Sequence, residues 1–245
     1  MSTSRSVSSD SSFETTTYDL GDVVAEVANR FAPMDVEREL RRLIDPEAAV
    51  RTVHWGRNYL YEANLRLQSK EVPVVVKAFR NESSTQKIRR HLRGSKADRA
   101  WRVSLAMRAA GIPVPEPIAR VDSKAIEGPA YFICERVEAQ EARYLFRAMN
   151  AGTESELFPE IDVDAFLVSL GNLLRRLHEA RFWHRDMTPG NVLLGPMQPG
   201  RQPLLYLVDR RVAGQIAGPA GRATFGDHIV AVEHHTDLQA ADRCG

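Results

Sequence analysis

Apolar positions along this chain follow two rhythms, and the change from one to the other divides it. Between Arg51 and Lys77 they come in short runs, Val74-Val75-Val76 being the clearest, and the segment predicts three strands. Ile118 to Val121 and Tyr131 to Cys134 predict a further pair. From Val163 to His178 the period lengthens. Phe166, Leu170, Leu173, Leu174 and Leu177 recur at helical spacing and predict one helix with an apolar face. Asn191 to Leu194 and Leu204 to Val208 are short apolar runs on either side of a turn from Gly195 to Gly200, and they predict a hairpin. Residues 84–109 predict a helical region that Gly111 stops, after which Pro113, Pro115 and Pro117 force extended geometry. Asp19 to Ile44 predicts two short helices with Pro33 between them.

Four segments follow from this pattern. Residues 1–18 are rich in Ser and Thr and lack apolar period, so they predict a disordered tail. Residues 19–136 form a β-rich half, residues 137–211 a helix-led half, and residues 212–245 an irregular stretch rich in Ala and Gly. The 245 residues suffice for one two-lobed domain. A formal charge of +1 provides no global field for nucleic acid. No apolar run approaches the ~20 residues of a membrane-spanning helix, and no apolar leader opens the chain. Cys134 and Cys244 are the two cysteines; one sits in a predicted strand and the other next to the last residue, which suits a reducing cytoplasm better than a disulfide.

Candidate chemistry lies just after the long helix. His184-Arg185-Asp186 followed by Asn191 has the H-R-D-x-x-x-x-N spacing of a phosphotransferase catalytic loop, and Leu207-Val208-Asp209 ends the hairpin on a carboxylate. Phosphoryl transfer needs a carboxylate to orient the attacking hydroxyl, which Asp186 provides. It also needs an amide and a second carboxylate to hold Mg²⁺ against the phosphates of ATP, which Asn191 and Asp209 provide. Lys77, at the end of its β-branched run, is placed to pair with the α- and β-phosphates. In residues 84–109 the basic run Lys87, Arg89, Arg90, His91, Arg93, Lys96, Arg99 and Arg102 is either a solvated face or a patch for an anionic glycolipid or membrane surface. Asp227-His228 and Glu233-His234-His235 lack the paired spacing of a zinc site.

With Gly56-Arg57-Asn58-Tyr59-Leu60-Tyr61, Val76-Lys77, Gly111-Ile112-Pro113-Val114-Pro115-Glu116-Pro117, Phe132 to Val137, His184 to Asn191 and Leu207-Val208-Asp209, the chain resembles the lipopolysaccharide kinase (Kdo/WaaP) family over roughly residues 50–211. The resemblance implies an α+β, protein-kinase-like fold of two lobes, β-rich then helical. It implies an ATP- and Mg²⁺-dependent kinase acting on a sugar hydroxyl of the lipopolysaccharide inner core, Kdo or heptose. Asp186, with His184 and Arg185, would be catalytic. Lys77, Gly56, Arg57, Glu135 and Val137 would bind the nucleotide, the first turn lying over the phosphates and Glu135-Arg136-Val137 forming a hinge whose backbone faces the adenine. Asn191 and Asp209 would hold the metal. The enzyme would be cytoplasmic or peripheral at the inner face of the cytoplasmic membrane. An ordinary hairpin turn at Gly56 and a plain edge strand at Glu135 are the bland readings.

Three departures qualify the resemblance. Ala100 stands before Trp101, where relatives carry the glutamate that fixes the strand lysine, and Asp98 is the nearest acid. Asp209 is followed by Arg210-Arg211 rather than a second acid. Only 36 residues follow Asp209, which reads as a shortened C-lobe that leaves part of the apolar face of Leu173, Leu177, Leu193 and Leu207 wet. The alternatives are a kinase with a protein or other small-molecule acceptor and a non-catalytic remnant. The missing A-P-E segment speaks against an ordinary protein kinase.

Overall fold

Why strands and helices alternate as they do is seen best in the N-terminal half. The computed structural model describes residues 3–4, 14–55, 58–79, 94–125, 127–184, 187–195, 203–208 and 212–214. Eight strands form one antiparallel sheet: β1 Thr3–Ser4, β2 Thr15–Asp19, β3 Val23–Ala28, β4 Arg51–Trp55, β5 Asn58–Arg66, β6 Glu71–Phe79, β7 Pro117–Ser123 and β8 Ala130–Glu135. Their order is β1-β2-β3-β7-β8-β6-β5-β4. The meander β4-β5-β6 is the expected set of three strands, and β7 pairs with β8 as expected.

Two expectations at the N-terminus need correction. Thr15–Asp19 is a strand of the sheet, so the Ser/Thr-rich tail is shorter than 1–18. The first of the two helices expected between Asp19 and Ile44 is instead β3 and a short 3-10 turn at Asn29–Phe31, and only α1, Val36–Ile44, is helical. β3 alternates buried Val23, Ala25 and Val27 with half-buried neighbours and pairs with β7, so the sheet claims it.

The strand period of two sorts the side chains onto two faces. One cross-strand row runs Tyr61, Val76, Ile133, Ala119, Val27, each at most 1% exposed. Helix α1 lies on this face: Leu40 and Leu43 join its core, and the Tyr61 hydroxyl donates to the Leu43 carbonyl at 2.6 Å. The adjacent row runs Leu60, Lys77, Phe132, Arg120, Glu26 on the opposite face. Helix α2, Lys96–Ala109, packs there; Ser95 caps it, its Oγ accepting from the Asp98 amide, and Trp101 is buried beneath it.

The second half has its own core. Helices α3 Ala142–Ala151, α4 Glu154–Leu157 and α5 Val163–Glu179 are followed by β10 Phe182–His184, with β9, Gln140–Glu141, preceding α3. Asp162 caps α5, its carboxylate accepting from the Ala165 amide. β11 Val192–Leu194 and β12 Leu205–Leu207 form the predicted hairpin, with β9 on the far side of β11. The irregular stretch begins later than expected, because β13, Val212–Gly214, pairs with β10. The expected wet apolar face is also corrected: Leu173, Leu177 and Leu207 are 4%, 0% and 2% exposed, sharing a core with Ile112, Val114, Leu145 and Phe166, and Leu193 is half-buried. Among the described residues no helix is long and apolar enough to cross a membrane.

Candidate functional site

Lys77 stands on the half-open face of the sheet. Its neighbours along β6, Val76 and Ala78, point into the core, and Val75 and Lys77 point the other way, half-buried. Phe132 is its cross-strand partner, and Lys77 Nζ lies 5.0 Å from the centre of the Phe79 ring. Cys134, two residues along from Phe132, shares this face. Burial pushes the Cys134 thiol up to about 12, against the pull of the Lys77 ammonium nearby. Glu62 extends the same face toward the hinge, where its carboxylate is shared by Arg51 at 2.7 Å and Arg136 at 3.2 Å.

Asp98, the acid nearest the slot left by Ala100, is committed elsewhere. It pairs with Arg102 one turn along α2 and with Arg120 across the sheet face at 3.6 Å. Arg120 gathers two more carboxylates, Glu26 at 3.0 Å and Asp122 at 2.6 Å. Burial works to lower its guanidinium pKa, but Asp98, Glu26 and Asp122 outweigh it and hold it above the ordinary value. Of the basic run, Lys87 to Arg93 lie outside the described residues, Arg102 is paired with Asp98, and Arg99 is exposed.

Glu135 to Val137 is the candidate hinge. Glu135 closes β8, and its amide donates to the Glu116 carbonyl at 2.8 Å. The Arg136 amide donates to the Pro73 carbonyl at 2.9 Å. Two of the three candidate hinge amides are thus engaged, by Glu116 just before β7 and by Pro73 on β6, whereas Val137 takes no part in these two bonds.

On the other side, His184 ends β10, and both ring nitrogens are buried with no hydrogen-bond partner among the described residues. Arg185, Asp186, Asp209, Gly56 and Arg57 lie outside the described residues. From Met187 the chain turns through Pro189–Asn191, where Asn191 is 6% exposed. The Val208 amide donates to the Asn191 carbonyl at 2.9 Å. That bond draws the end of the catalytic-loop sequence to the end of the strand that Asp209 follows. A Cβ at Gly190 would lie 2.6 Å from Nη2 of Arg143 on α3, so the end of that arginine would have to shift to admit one.

The sequence assigned no role to Glu62, Arg30 and Arg176, and Glu116 entered only as one member of the Gly111–Pro117 segment. Glu116 left a trace, an acid at an inward position of an apolar alternation Ile112, Val114, Glu116. Arg30 left none, because its partner is 86 residues away.

The family model for "Lipopolysaccharide kinase (Kdo/WaaP) family" matches residues 53–214. A search of curated proteins found no match. Similar solved structures include the crystal structure of the PknI kinase domain of Mycobacterium tuberculosis, 17% identical, with 66% of this chain and 56% of that chain covered and a TM-score of 0.42.

Proposed function

Because the chain belongs to the lipopolysaccharide kinase (Kdo/WaaP) family, we propose that it is an ATP-dependent kinase whose acceptor is a sugar hydroxyl of the lipopolysaccharide inner core, on Kdo or heptose. The observation that carries the reading is the Val208 to Asn191 hydrogen bond, which ties the two candidate magnesium-holding segments together at their ends. A buried amide oxygen and a carboxylate are hard oxygen donors of the kind Mg²⁺ takes, so Asn191 and Asp209 fit the metal. Bound there, Mg²⁺ would offset the charge of the phosphate oxygens.

The remaining work falls to the chain. Lys77 approaches the α- and β-phosphates from the half-open sheet face, and the Val137 amide is the hinge donor left for the adenine. Asp186 accepts a hydrogen bond from the acceptor hydroxyl, aligns it in line with the γ-phosphate and takes its proton as the new O–P bond forms and ADP leaves. The reading implies a cytoplasmic enzyme in peripheral contact with the anionic inner leaflet, where both ATP and a lipid-linked acceptor are available.

The test is transfer from radiolabelled ATP to purified inner-core acceptors bearing Kdo or heptose. The intact chain should label one of them, and Asp186→Ala should abolish labelling while still binding Mg-ATP. Wild-type turnover in Asp186→Ala would remove that residue from the mechanism. Nucleotide binding without transfer to either sugar would move the acceptor to another class.

A further inference from the structure

Residues 111–117 make more connections than a linker needs. Gly111, at φ +70°, ends α2. Its carbonyl accepts from Nη2 of Arg176 on α5, the helix that leads into the catalytic loop. The Pro113 carbonyl accepts from the Leu207 amide at 2.9 Å, on the strand just before Val208 and Asp209. The Glu116 carbonyl accepts from the Glu135 amide at 2.8 Å, at the start of the hinge. The Gly111 and Ile112 amides bond back to the Arg108 and Met107 carbonyls of α2; beyond them Pro113, Pro115 and Pro117 carry no N–H, and each holds the residue before it extended. The alternation that results buries Ile112, Val114 and Glu116.

Two of those three inward residues are aliphatic, and the third is a carboxylate only 7% exposed. An ion so placed needs a counter-charge. Glu116 has two: Arg30, from the short turn after β3, pairs with Oε2, and Arg108, from the last turn of α2, lies 3.7 Å from Oε1. Arg30 also rests on the Phe31 ring, 4.7 Å from its centre. Two separate parts of the fold, the turn after β3 and the end of α2, therefore converge on one side chain of residues 111–117.

We propose that residues 111–117 are a rigid strap fixing the spacing between the adenine end and the magnesium end of the nucleotide site, with Glu116 as its positioning residue. The inference rests on the kinase reading above. Glu116 touches neither nucleotide nor metal. It holds the strap whose carbonyls fix the hinge through Glu135 and the metal strand through Leu207. The N-terminal extension enters the same device through Arg30, which gives the strands β2 and β3 a role at the site.

The experiment measures ADP affinity without and with Mg²⁺ on the intact chain and on Glu116→Gln, Arg30→Gln and Tyr61→Phe, with a thermal melt of each. Glu116→Gln should weaken ADP binding without Mg²⁺ and also shrink the gain that Mg²⁺ brings, for a combined loss of about tenfold, the scale seen when an outer-shell partner is removed. Arg30→Gln should move both quantities in the same direction by less. Tyr61→Phe, which loses its bond to Leu43 on the opposite sheet face, should lower the melting temperature and leave both affinities alone. A folded Glu116→Gln with both affinities unchanged overturns the strap. Should Glu116→Gln not fold, Arg30→Gln decides: its side chain is half-exposed, and unchanged ADP and Mg²⁺ responses in it overturn the proposal as well. An intact chain that binds no ADP in either condition overturns the kinase reading and the strap with it, whereas an intact chain that binds, with insensitive variants, overturns the strap alone.

Discussion

Replacing Arg120 by methionine should cost about 3–5 kcal/mol of stability at neutral pH, and neutralising one of the carboxylates around it should return part of that loss. The side chain is 19% exposed, and the carboxylates of Glu26, Asp98 and Asp122 around it are each less than a fifth exposed. Methionine keeps the apolar stem and removes the one cation they share. Asp98 retains Arg102 and Glu26 retains a hydrogen bond from the Thr15 hydroxyl, but Asp122 Oδ1 is already buried with no hydrogen-bond partner among the described residues. Removing one member of a buried ion pair costs about 3–5 kcal/mol, against a total of about 5–15 kcal/mol for a domain. Without Arg120 the clustered carboxylates lose their shared counter-charge and repel one another. Removing one of those charges should relieve the repulsion, so Arg120→Met with Asp122→Asn should be more stable than Arg120→Met alone. Urea melts of wild type and both variants at pH 7, with equal m values, measure this. A double variant no more stable than Arg120→Met would refute the claim that charge compensation at Arg120 is what matters.

Other outcomes follow from single positions. Gly171 is exposed in mid-helix on α5 and a Cβ there would meet nothing within 4 Å; Gly171→Ala should therefore stabilise by about 1 kcal/mol, seen as a rise of roughly 2–4 °C in a thermal melt, and a fall would mean that something packs on that face. Burial raises the Cys134 thiol from 9.0 to about 12, so the stability it contributes is complete below pH 9 and is lost as pH rises toward 12. In a Cys244→Ser background iodoacetamide at pH 8 should label Cys134 slowly when folded and quickly in urea, and equal rates would contradict the burial. Asp209→Asn should weaken the Mg²⁺-dependent part of ATP binding because a carboxylate charge is lost beside a dication; a titration with unchanged affinity would remove Asp209 from the metal site.

What the sequence determined by itself is whatever depends on local period. Val74-Val75-Val76 could only be strand, Phe166 to Leu177 only helix, and the hairpin around residues 192–207 announced itself through two apolar runs and a turn. The candidate site was proposed from the sequence for the same reason, since the spacing of His184, Asp186 and Asn191 is local. The tertiary structure decided what depends on distant partners. Val23–Ala28 is a strand because β7 lies ready to pair with it, although its neighbours in sequence suggested a helix. Asp98 belongs to Arg120 rather than to the lysine row's end because two strands of one face bring Arg120 beneath α2. The apolar face of α5 is covered by Ile112 and Val114, from a segment some sixty residues earlier whose prolines look from sequence like a mere stop signal. Local rhythm fixes which way a side chain points; only closure of the chain fixes what it meets there.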